Sequence, residues 1–319
     1  MKTALVLSGG SIKGAFQAGA ISALLNNGVE PEGIYGVSAG ALNGAFLADR
    51  AGRQLASSSK INWRQVGSDL EQFWMTRITK PADIVEKRWL GGIASGALFN
   101  RFKGLTKVDK FHALIRAEID KTNLRRFAGS GRHFQPGAVD VFTSKIIYET
   151  AVSDNIIDYT LASAAIPVAF PVMNIDVPPT GIHPFVDGGV RDLAPLRRAI
   201  KDGFDNIICI VCQSQNLDAF TYNTGNLLGH IDRITDIIVN EIVLNDIGVV
   251  DAYRRVSKVI DFERNPSLKE IMRYRDIPKP TVIWPKSPIL VDIMKFNRKQ
   301  IAAMIQQGKD AVNHAKSHG

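Results

Sequence analysis

The 319-residue chain has no run of eighteen apolar residues, although 45% of its residues are hydrophobic. A helix that crosses a bilayer needs about 20 consecutive apolar residues, so the sequence predicts no such helix. The apolar stretch at the N-terminus follows a single basic residue, Lys2, and is too short for a signal peptide. Internal repeats and low-complexity tracts are also absent, which excludes solenoid and fibrous proteins. We therefore expect a globular, soluble protein of the cytoplasm.

Cysteine is scarce, and the chain has only Cys209 and Cys212. Their C-x-x-C spacing is one that metal and redox sites use. Both residues, however, lie in the apolar, β-branched run 207–212, which predicts a buried strand, and residues three apart on a strand point to opposite faces. We therefore predict two buried thiols without a disulfide, and we expect neither a metal nor a cofactor.

Acidic residues are fewer than basic ones, 31 against 39, so the net charge is +8. This excess fits an anionic partner. A nucleic acid would require a clustered basic patch or a recognisable binding module, and the sequence shows neither. Phospholipid headgroups also attract Lys and Arg side chains. We therefore expect no nucleic acid as a partner and a peripheral contact with an anionic membrane.

A serine between small residues marks a turn from a strand into a helix. Residues 36–40 read Gly-Val-Ser-Ala-Gly, after the apolar run 34–37 and before an Ala-rich helical pattern. Small neighbours permit a turn so tight that the hydroxyl of Ser38 projects into a cleft, beside the N–H groups that begin the helix. Ser38 is therefore a candidate nucleophile.

A glycine-rich loop forms a second unit of strand, loop and helix near the N-terminus. A buried strand is predicted over 3–7 and a small-residue helix over 15–25, with the loop between them. Consecutive glycines let backbone N–H groups converge at a helix N-terminus, where an oxyanion or a phosphate is stabilised. A nucleotide site is disfavoured because the loop has neither P-loop nor dinucleotide spacing, and close strand–helix packing is a further alternative. The candidate oxyanion-hole residues are Gly9, Gly10, Ser11, Ile12, Lys13, Gly14 and, from the serine turn, Ala39.

A carboxylate follows the strand that is predicted over 182–186. Asp187 precedes two glycines that permit a sharp turn, and open α/β sheets place their sites at strand ends. Its carboxylate could bind the serine hydroxyl and act as a general base, or it could only cap its own loop as an Asx turn. A triad would instead need a histidine after the acid. None of the three available ones, His230, His314 and His318, lies at a predicted strand end.

These motifs resemble those of the patatin-like phospholipase family. The family's pattern is a glycine-rich oxyanion loop that ends in Lys or Arg and Gly, then Gly-x-Ser-x-Gly, then Asp-Gly-Gly or Asp-Gly-Ala. Here the three motifs stand in that order at residues 9–14, 36–40 and 187–189. Residues 162–171 also resemble the family's Ala-Ser-x-Ala-x-Pro-x-x-Phe-Pro stretch. The resemblance covers about residues 1–213, where order, spacing and flanking elements agree.

The resemblance implies a three-layer α/β/α fold with a central, largely parallel sheet. It further implies that Ser38 is the nucleophile, that Asp187 is its base, and that the dyad cleaves phospholipid or lysophospholipid esters through an acyl-enzyme. One departure is that the family's third loop glycine is Ser11 here, which costs about 1–2 kcal/mol if that position needs a positive φ. A catalytically silent lipid-binding protein and an acyltransferase that uses the same serine are the alternatives.

The sequence predicts a single catalytic domain over 1–319, with the core motifs in 1–213 and a helical part in 214–319. Residues 50–107 predict either a lid beside the cleft or a helical layer packed on the sheet. Long helical patterns cover 227–256 and about 288–314. The second helix is basic and amphipathic, so it either lies on an anionic membrane or docks its apolar side on its own domain.

Overall fold

The computed structural model of the chain describes residues 1–87, 105–215 and 227–317. Within these ranges the strands are β1 Thr3–Leu7, β2 Gly33–Val37, β3 Glu86–Lys87, β4 Thr106–Lys107, β5 His133–Asp140, β6 Lys145–Tyr148, β7 Met173–Val177, β8 Gly181–Asp187, β9 Asn206–Ile210 and β10 Thr281–Ile283. The α-helices are α1 Gly14–Asn26, α2 Ala39–Gln54, α3 Trp63–Arg77, α4 Asp109–Glu118, α5 Lys121–Gly129, α6 Ile156–Ser163, α7 Leu196–Lys201, α8 Leu227–Val259 and α9 Arg298–Ser317.

One sheet organises the fold, with the strand order β10-β9-β1-β2-β5-β8-β7 and β6 also paired with β5. The five strands β10, β9, β1, β2 and β5 are parallel to their neighbours. In contrast, β8 runs antiparallel to both β5 and β7, and β6 runs antiparallel to β5. Strands β1 and β2 are buried along almost their whole length, as apolar strands covered on both faces are.

Helices cover both faces of this sheet. On one face, buried side chains of α1, α2, α3 and α9 form the larger core, to which Phe16, Phe46, Trp63 and Ile305 belong. On the other face, α7 and α8 pack over a second core that includes Phe204. The predicted three-layer α/β/α fold with a largely parallel sheet is therefore confirmed.

The last helix is built into the larger core. A Cβ on Gly19 of α1 would lie 1.9 Å from the carbonyl oxygen of Ile305, and one on Gly308 of α9 would lie 2.0 Å from that of Phe16. The two backbones therefore approach so closely that only glycine fits at either position. The apolar side of α9 docks on the protein, which was the second of the two expectations for this helix.

The start of α9 differs from the prediction. The helix begins at Arg298, not near 288, because Asn297 and Gln300 form a capping box. The Asn297 side chain accepts the N–H groups of Lys299 and Gln300, and the Gln300 side chain accepts the N–H of Asn297. The apolar residues 288–296 that precede it form a loop instead. Part of this loop reaches the candidate site described below.

Two other predictions concern segments near the chain's middle. The helical pattern predicted over 227–256 corresponds to α8, which is described from Leu227 and ends at Val259. In the segment 50–107, α3 packs against α1 as a helical layer, whereas the predicted features at 89–102 lie outside the described residues. Among the described helices, none has the length and apolar character that crossing a bilayer requires.

Candidate active site

The turn that carries Ser38 is strained and tightly packed. Ser38 has φ 55° and ψ −126°, between the end of β2 at Val37 and the start of α2 at Ala39. A positive φ is uncommon for a residue with a side chain, and it persists only where the surroundings enforce it. Here a Cβ on Gly36 would lie 2.3 Å from the Gly40 carbonyl oxygen, so strand and helix cross too closely for any other residue.

The backbone of this turn is held from a neighbouring helix. The N–H of Ser38 donates to the Ser163 hydroxyl at 2.9 Å, and that hydroxyl donates to the Gly137 carbonyl oxygen at 2.5 Å. Ser163 is the last residue of α6 and fully buried. Its role was not found from the sequence, where it stood only as a residue of the 162–171 motif.

The Ser38 hydroxyl lies near enough to the Asp187 carboxyl group to lower the pKa of that group. Asp187 Oδ1 accepts the N–H of Gly189 at 2.8 Å, so the Asx turn considered above exists alongside the proximity to the serine. Burial is the larger effect and raises the pKa of Asp187 to about 7. A carboxyl group with such a pKa can both take up and release a proton near neutral pH.

Strand direction brings Asp187 to the serine in a way that differs from the sequence argument. That argument placed Asp187 at a strand end of an open α/β sheet and did not consider the direction of the strand; in the structure β8 is antiparallel to β5. Val37 pairs with Gly137, and Asp187 pairs with Ala138, the next residue of β5. Strands β2 and β8 therefore run toward the same level of β5 from opposite directions, and each ends there with a functional side chain.

In the glycine-rich loop, Ser11 stands where the family has a glycine, and it adopts the positive φ that was considered above. Ser11 has φ 51° and begins a short 3-10 turn, Ser11–Lys13, that continues into α1. The N–H of Lys13 donates to the Gly10 carbonyl oxygen at 2.9 Å, and the N–H of Gly14 bonds within the same turn. In such a turn the first N–H groups, here those of Ser11 and Ile12, have no acceptor inside the turn.

The predicted oxyanion-hole residues have different surroundings in the structure. Gly9, Gly10, Ser11, Ile12 and Lys13 line a cavity of about 290 Å³ together with Ser38 and Asp187. Ala39 lines a smaller compartment of about 40 Å³ that meets this cavity at Ser38. Gly14 lines neither, because it packs against the Trp74 ring behind the loop.

The surroundings of Ser38 are mainly apolar on two sides. The walls of the larger cavity are mainly apolar and come from the loops around Ser38 and Asp187, from α8, from the loop before α9 and from residues at or next to β3 and β4. The lining residues of these segments include Ile166, Val190, Leu193, Ile238, Val291 and Met294. The smaller compartment extends into the core between Phe73, Trp74 and Phe111. An acyl chain can therefore lie in apolar surroundings while its carbonyl group is at Ser38.

Among the described side chains, no histidine is part of the candidate site. None lines either compartment. His314 is exposed beside Lys286 at the C-terminal helix, whereas the side chain of His230 and all of His318 lie outside the described residues. His183 of β8 is buried, and its Nδ1 lies 2.8 Å from Asp140 Oδ2, so the contact of this ring nitrogen is with a carboxylate other than Asp187.

Both cysteines are reduced and buried, as predicted. Cys209 belongs to the second core, on one face of the sheet. Cys212 follows the end of β9 and lies under the glycine-rich loop, where a Cβ on Gly10 would be 2.4 Å from its Cβ. The described residues contain no group of three potential metal ligands.

Comparisons with known proteins agree with these motifs. The family model of the patatin-like phospholipases matches residues 5–200. A search of curated proteins gave no match. Among solved structures, the chain is similar to VipD from Legionella pneumophila, with 14% sequence identity and a TM-score of 0.47 over 99% of this chain and 67% of that chain. The family match covers more than half of the chain and includes the serine turn and Asp187, so the chain belongs to the patatin-like phospholipase family, a family of lipid acyl hydrolases.

Proposed function

We propose that this protein hydrolyses carboxylic esters of phospholipids or lysophospholipids with a dyad of Ser38 and Asp187. The observation that supports this most is the proximity of the Ser38 hydroxyl to the buried Asp187 carboxyl group in one cavity, where Ser38 also borders a second apolar compartment. A serine whose proton acceptor is already in contact is an activated nucleophile. Apolar walls on both sides suit a substrate with long hydrocarbon chains.

In the acylation step, Ser38 Oγ attacks the ester carbonyl carbon while its proton passes to the Asp187 carboxylate. The carbonyl oxygen becomes an oxyanion, for which we propose the N–H groups of Gly10, Ser11, Ile12 and Ala39 as the donors. When the tetrahedral intermediate collapses, the ester oxygen leaves as an alcohol and takes the proton from Asp187. The product at this stage is an acyl group bound to Ser38.

In the deacylation step, a water molecule attacks the acyl-enzyme carbonyl carbon and Asp187 accepts the water's proton. The second tetrahedral intermediate releases the fatty acid, and the proton returns to Ser38 Oγ. Each half-reaction therefore uses Asp187 first as a base and then as an acid, a cycle that a pKa of about 7 suits.

We further propose that the catalytic unit extends over residues 1–319 and acts in the cytoplasm, in peripheral contact with anionic membranes. The close contact of α1 with α9 and the pairing of β10 with β9 support a single unit, because both join the C-terminal part to the core. The net charge of +8 supports a contact with anionic lipid.

The test is to trap the nucleophile with a fluorophosphonate and to measure hydrolysis of a soluble ester and of lysophospholipid. Ser38→Ala should lose both labelling and turnover with nearly unchanged thermal stability. Ser144→Ala is the matched control, because Ser144 is an exposed serine that also has a positive φ, 57°. His230→Ala should keep most of the activity, whereas a folded but inactive His230→Ala would indicate a triad.

The same assay separates the two alternatives. A wild-type protein that neither reacts with the fluorophosphonate nor hydrolyses any ester would be a silent lipid-binding protein. A protein that is labelled at Ser38 but passes the acyl group to an added alcohol faster than to water would be an acyltransferase.

A further inference from the structure

Helix α8 carries a buried carboxyl group that the proposed chemistry does not use. Asp246 is 7% exposed and lies against Asp192, which is 6% exposed and follows Asp187 by five residues. Two carboxyl groups in one buried place are costly unless they share a proton or meet strong donors. Their partners therefore indicate what they do.

Asp246 fixes the chain segment that follows the catalytic turn. Its Oδ2 accepts the N–H groups of Leu193 at 3.1 Å and Ala194 at 3.2 Å. The side chain of Leu193 in turn lies against the site, because a Cβ on either Gly9 or Gly189 would be 2.7 Å from its Cδ1. Leu193 thus touches both the glycine-rich loop and the turn that holds Asp187. Asp246 acts on both of them through Leu193.

Asp192 lacks enough donors to be an ordinary buried carboxylate. Its Oδ2 accepts the Tyr148 hydroxyl at 2.6 Å, but no donor among the described groups reaches its Oδ1. The Asp192 and Asp246 side chains are within hydrogen-bonding reach of each other. A proton held between the two carboxyl groups would satisfy the oxygen that otherwise has no donor.

Few charges face this pair. Arg197 Nη2 is 3.9 Å from Asp246 Oδ1 and its side chain is 48% exposed, so water weakens its effect. The titratable groups that face the pair come from all the packed elements: Tyr148 from β6, Cys209 from β9, Arg197 from α7 and, near Arg197, Tyr274 from the turn Pro266–Tyr274.

We infer that Asp192 and Asp246 hold one proton between them and act as a positioning pair, through which α8 fixes Leu193 against the oxyanion loop and the Asp187 turn. Loss of the shared proton leaves two adjacent carboxylates that repel each other. Helix α8 and the segment 192–194 then separate, and Leu193 loosens from the site. Burial and the neighbouring Asp192 raise the pKa of Asp246, so the pair keeps its proton at pH values where a solvated carboxyl group has lost it, and it loses the proton on the alkaline side.

The consequence is a pH profile with two limbs of different origin. Asp187 must be ionised to act as a base, which lowers activity on the acid side. The pair must keep its proton, which lowers activity on the alkaline side. The activity readout rests on the proposed hydrolysis, whereas the backbone readout below does not.

The first experiment measures the pH dependence of kcat and KM for a soluble ester. Asp246→Asn keeps an acceptor for the two N–H groups and supplies a permanent donor to Asp192, so its alkaline limb should move up by at least about one pH unit. Asp246→Ala removes the acceptor and should lower kcat about tenfold at every pH, with KM changed less. Asp251→Asn, which affects an aspartate of the same helix paired with Arg254 and Arg255, should keep the wild-type profile.

The second experiment measures amide hydrogen exchange in Ser38→Ala, where catalysis plays no part. After correction for the intrinsic pH dependence of exchange, the N–H groups of Leu193 and Ala194 should be protected at about pH 6 and less protected at about pH 9. In Ser38→Ala combined with Asp246→Asn they should be protected at both values. Equal alkaline limbs for the wild type and Asp246→Asn, or protection that does not change with pH, would overturn the inference. A protein with no esterase activity but with the expected exchange pattern would refute only the proposed function.

Discussion

Replacement of the proposed base, Asp187→Asn, tests the chemistry and the energetics of the site together. Asparagine keeps the size and the hydrogen-bonding reach of the side chain, but it cannot take the Ser38 proton. Loss of a general base typically costs a factor of about 10²–10⁴ in rate, so we expect kcat/KM for a soluble ester to fall by that amount. In the wild type, the acid limb of kcat/KM should rise about tenfold per pH unit below pH 7, because the proposed mechanism needs the ionised form of Asp187.

The stability of the protein should respond with the opposite trend. Because burial raises the pKa of Asp187 from 3.8 to about 7, the folded state holds a proton that the unfolded chain releases at lower pH. The stabilisation from this proton is fully present below pH 3.8 and is lost as the pH rises through 7. At about 1.4 kcal/mol per pKa unit the loss is about 4 kcal/mol. Asp187→Asn lacks this titration and avoids the loss.

Urea unfolding of both proteins between about pH 4 and pH 8 measures the effect. The difference in free energy of unfolding, Asp187→Asn minus wild type, should increase by about 4 kcal/mol over this range. The other titrating groups, including Asp192 and Asp246, occur in both proteins, so their contributions cancel in the difference. A difference that stays constant with pH would refute the raised pKa. An Asp187→Asn variant within tenfold of wild-type activity would refute the assignment of the base.

Two further predictions concern the glycine-rich loop and the membrane. Ser11→Gly should keep the activity and raise the free energy of unfolding by up to about 1.5 kcal/mol, because relief of the positive φ is worth about 1–2 kcal/mol and the flexibility of glycine costs about 0.5–1 kcal/mol. A variant that is less stable in thermal unfolding would contradict this. Changing the exposed Arg298 and Lys299 to Gln should weaken binding to anionic vesicles at low salt without slowing hydrolysis of a soluble ester. Unchanged vesicle binding would show that Arg298 and Lys299 of this helix do not contribute to membrane binding.

The parts of the site that could be predicted from the sequence are those with local causes. The two strand–loop–helix units depend on glycines and small residues that are neighbours in the chain, and their bounds in the structure differ from the predicted ones by a residue or two. The contact of Ser38 with Asp187 depends on pairing across the sheet, for which the motif order supplied the expectation. The support from Ser163 could not be found in this way, since it bonds a residue 125 positions away.

The direction of β8 could not be read from the residues of the strand itself. Burial alternates along it, as is typical of an antiparallel strand, but His183 and Asp187 are buried and Ile182 is exposed, so the sequence shows no matching alternation of apolar and polar residues. Only three residues separate β7 from β8, whereas parallel neighbours need a crossover of a dozen or more. The prediction missed β7, so this short connection was not visible. The start of α9 was missed for a similar reason, because its apolar pattern outweighed the capping box at Asn297.

If a serine is activated by an aspartate alone, the burial that makes the carboxylate more basic also lowers the free energy of unfolding at neutral pH. An aspartate with an ordinary pKa of 3.8 is a weak base toward a hydroxyl, and burial raises the basicity of Asp187 because it removes water from the charged form. The hydrogen bond from the Gly189 N–H and the nearby Ser38 hydroxyl recover part of the free-energy cost of burying the charge. Each additional donor would stabilise the carboxylate further and would lower its pKa, which would weaken the base. A dyad without histidine therefore requires a carboxyl group that is buried yet has few donors, and Asp187 meets both conditions among the described residues.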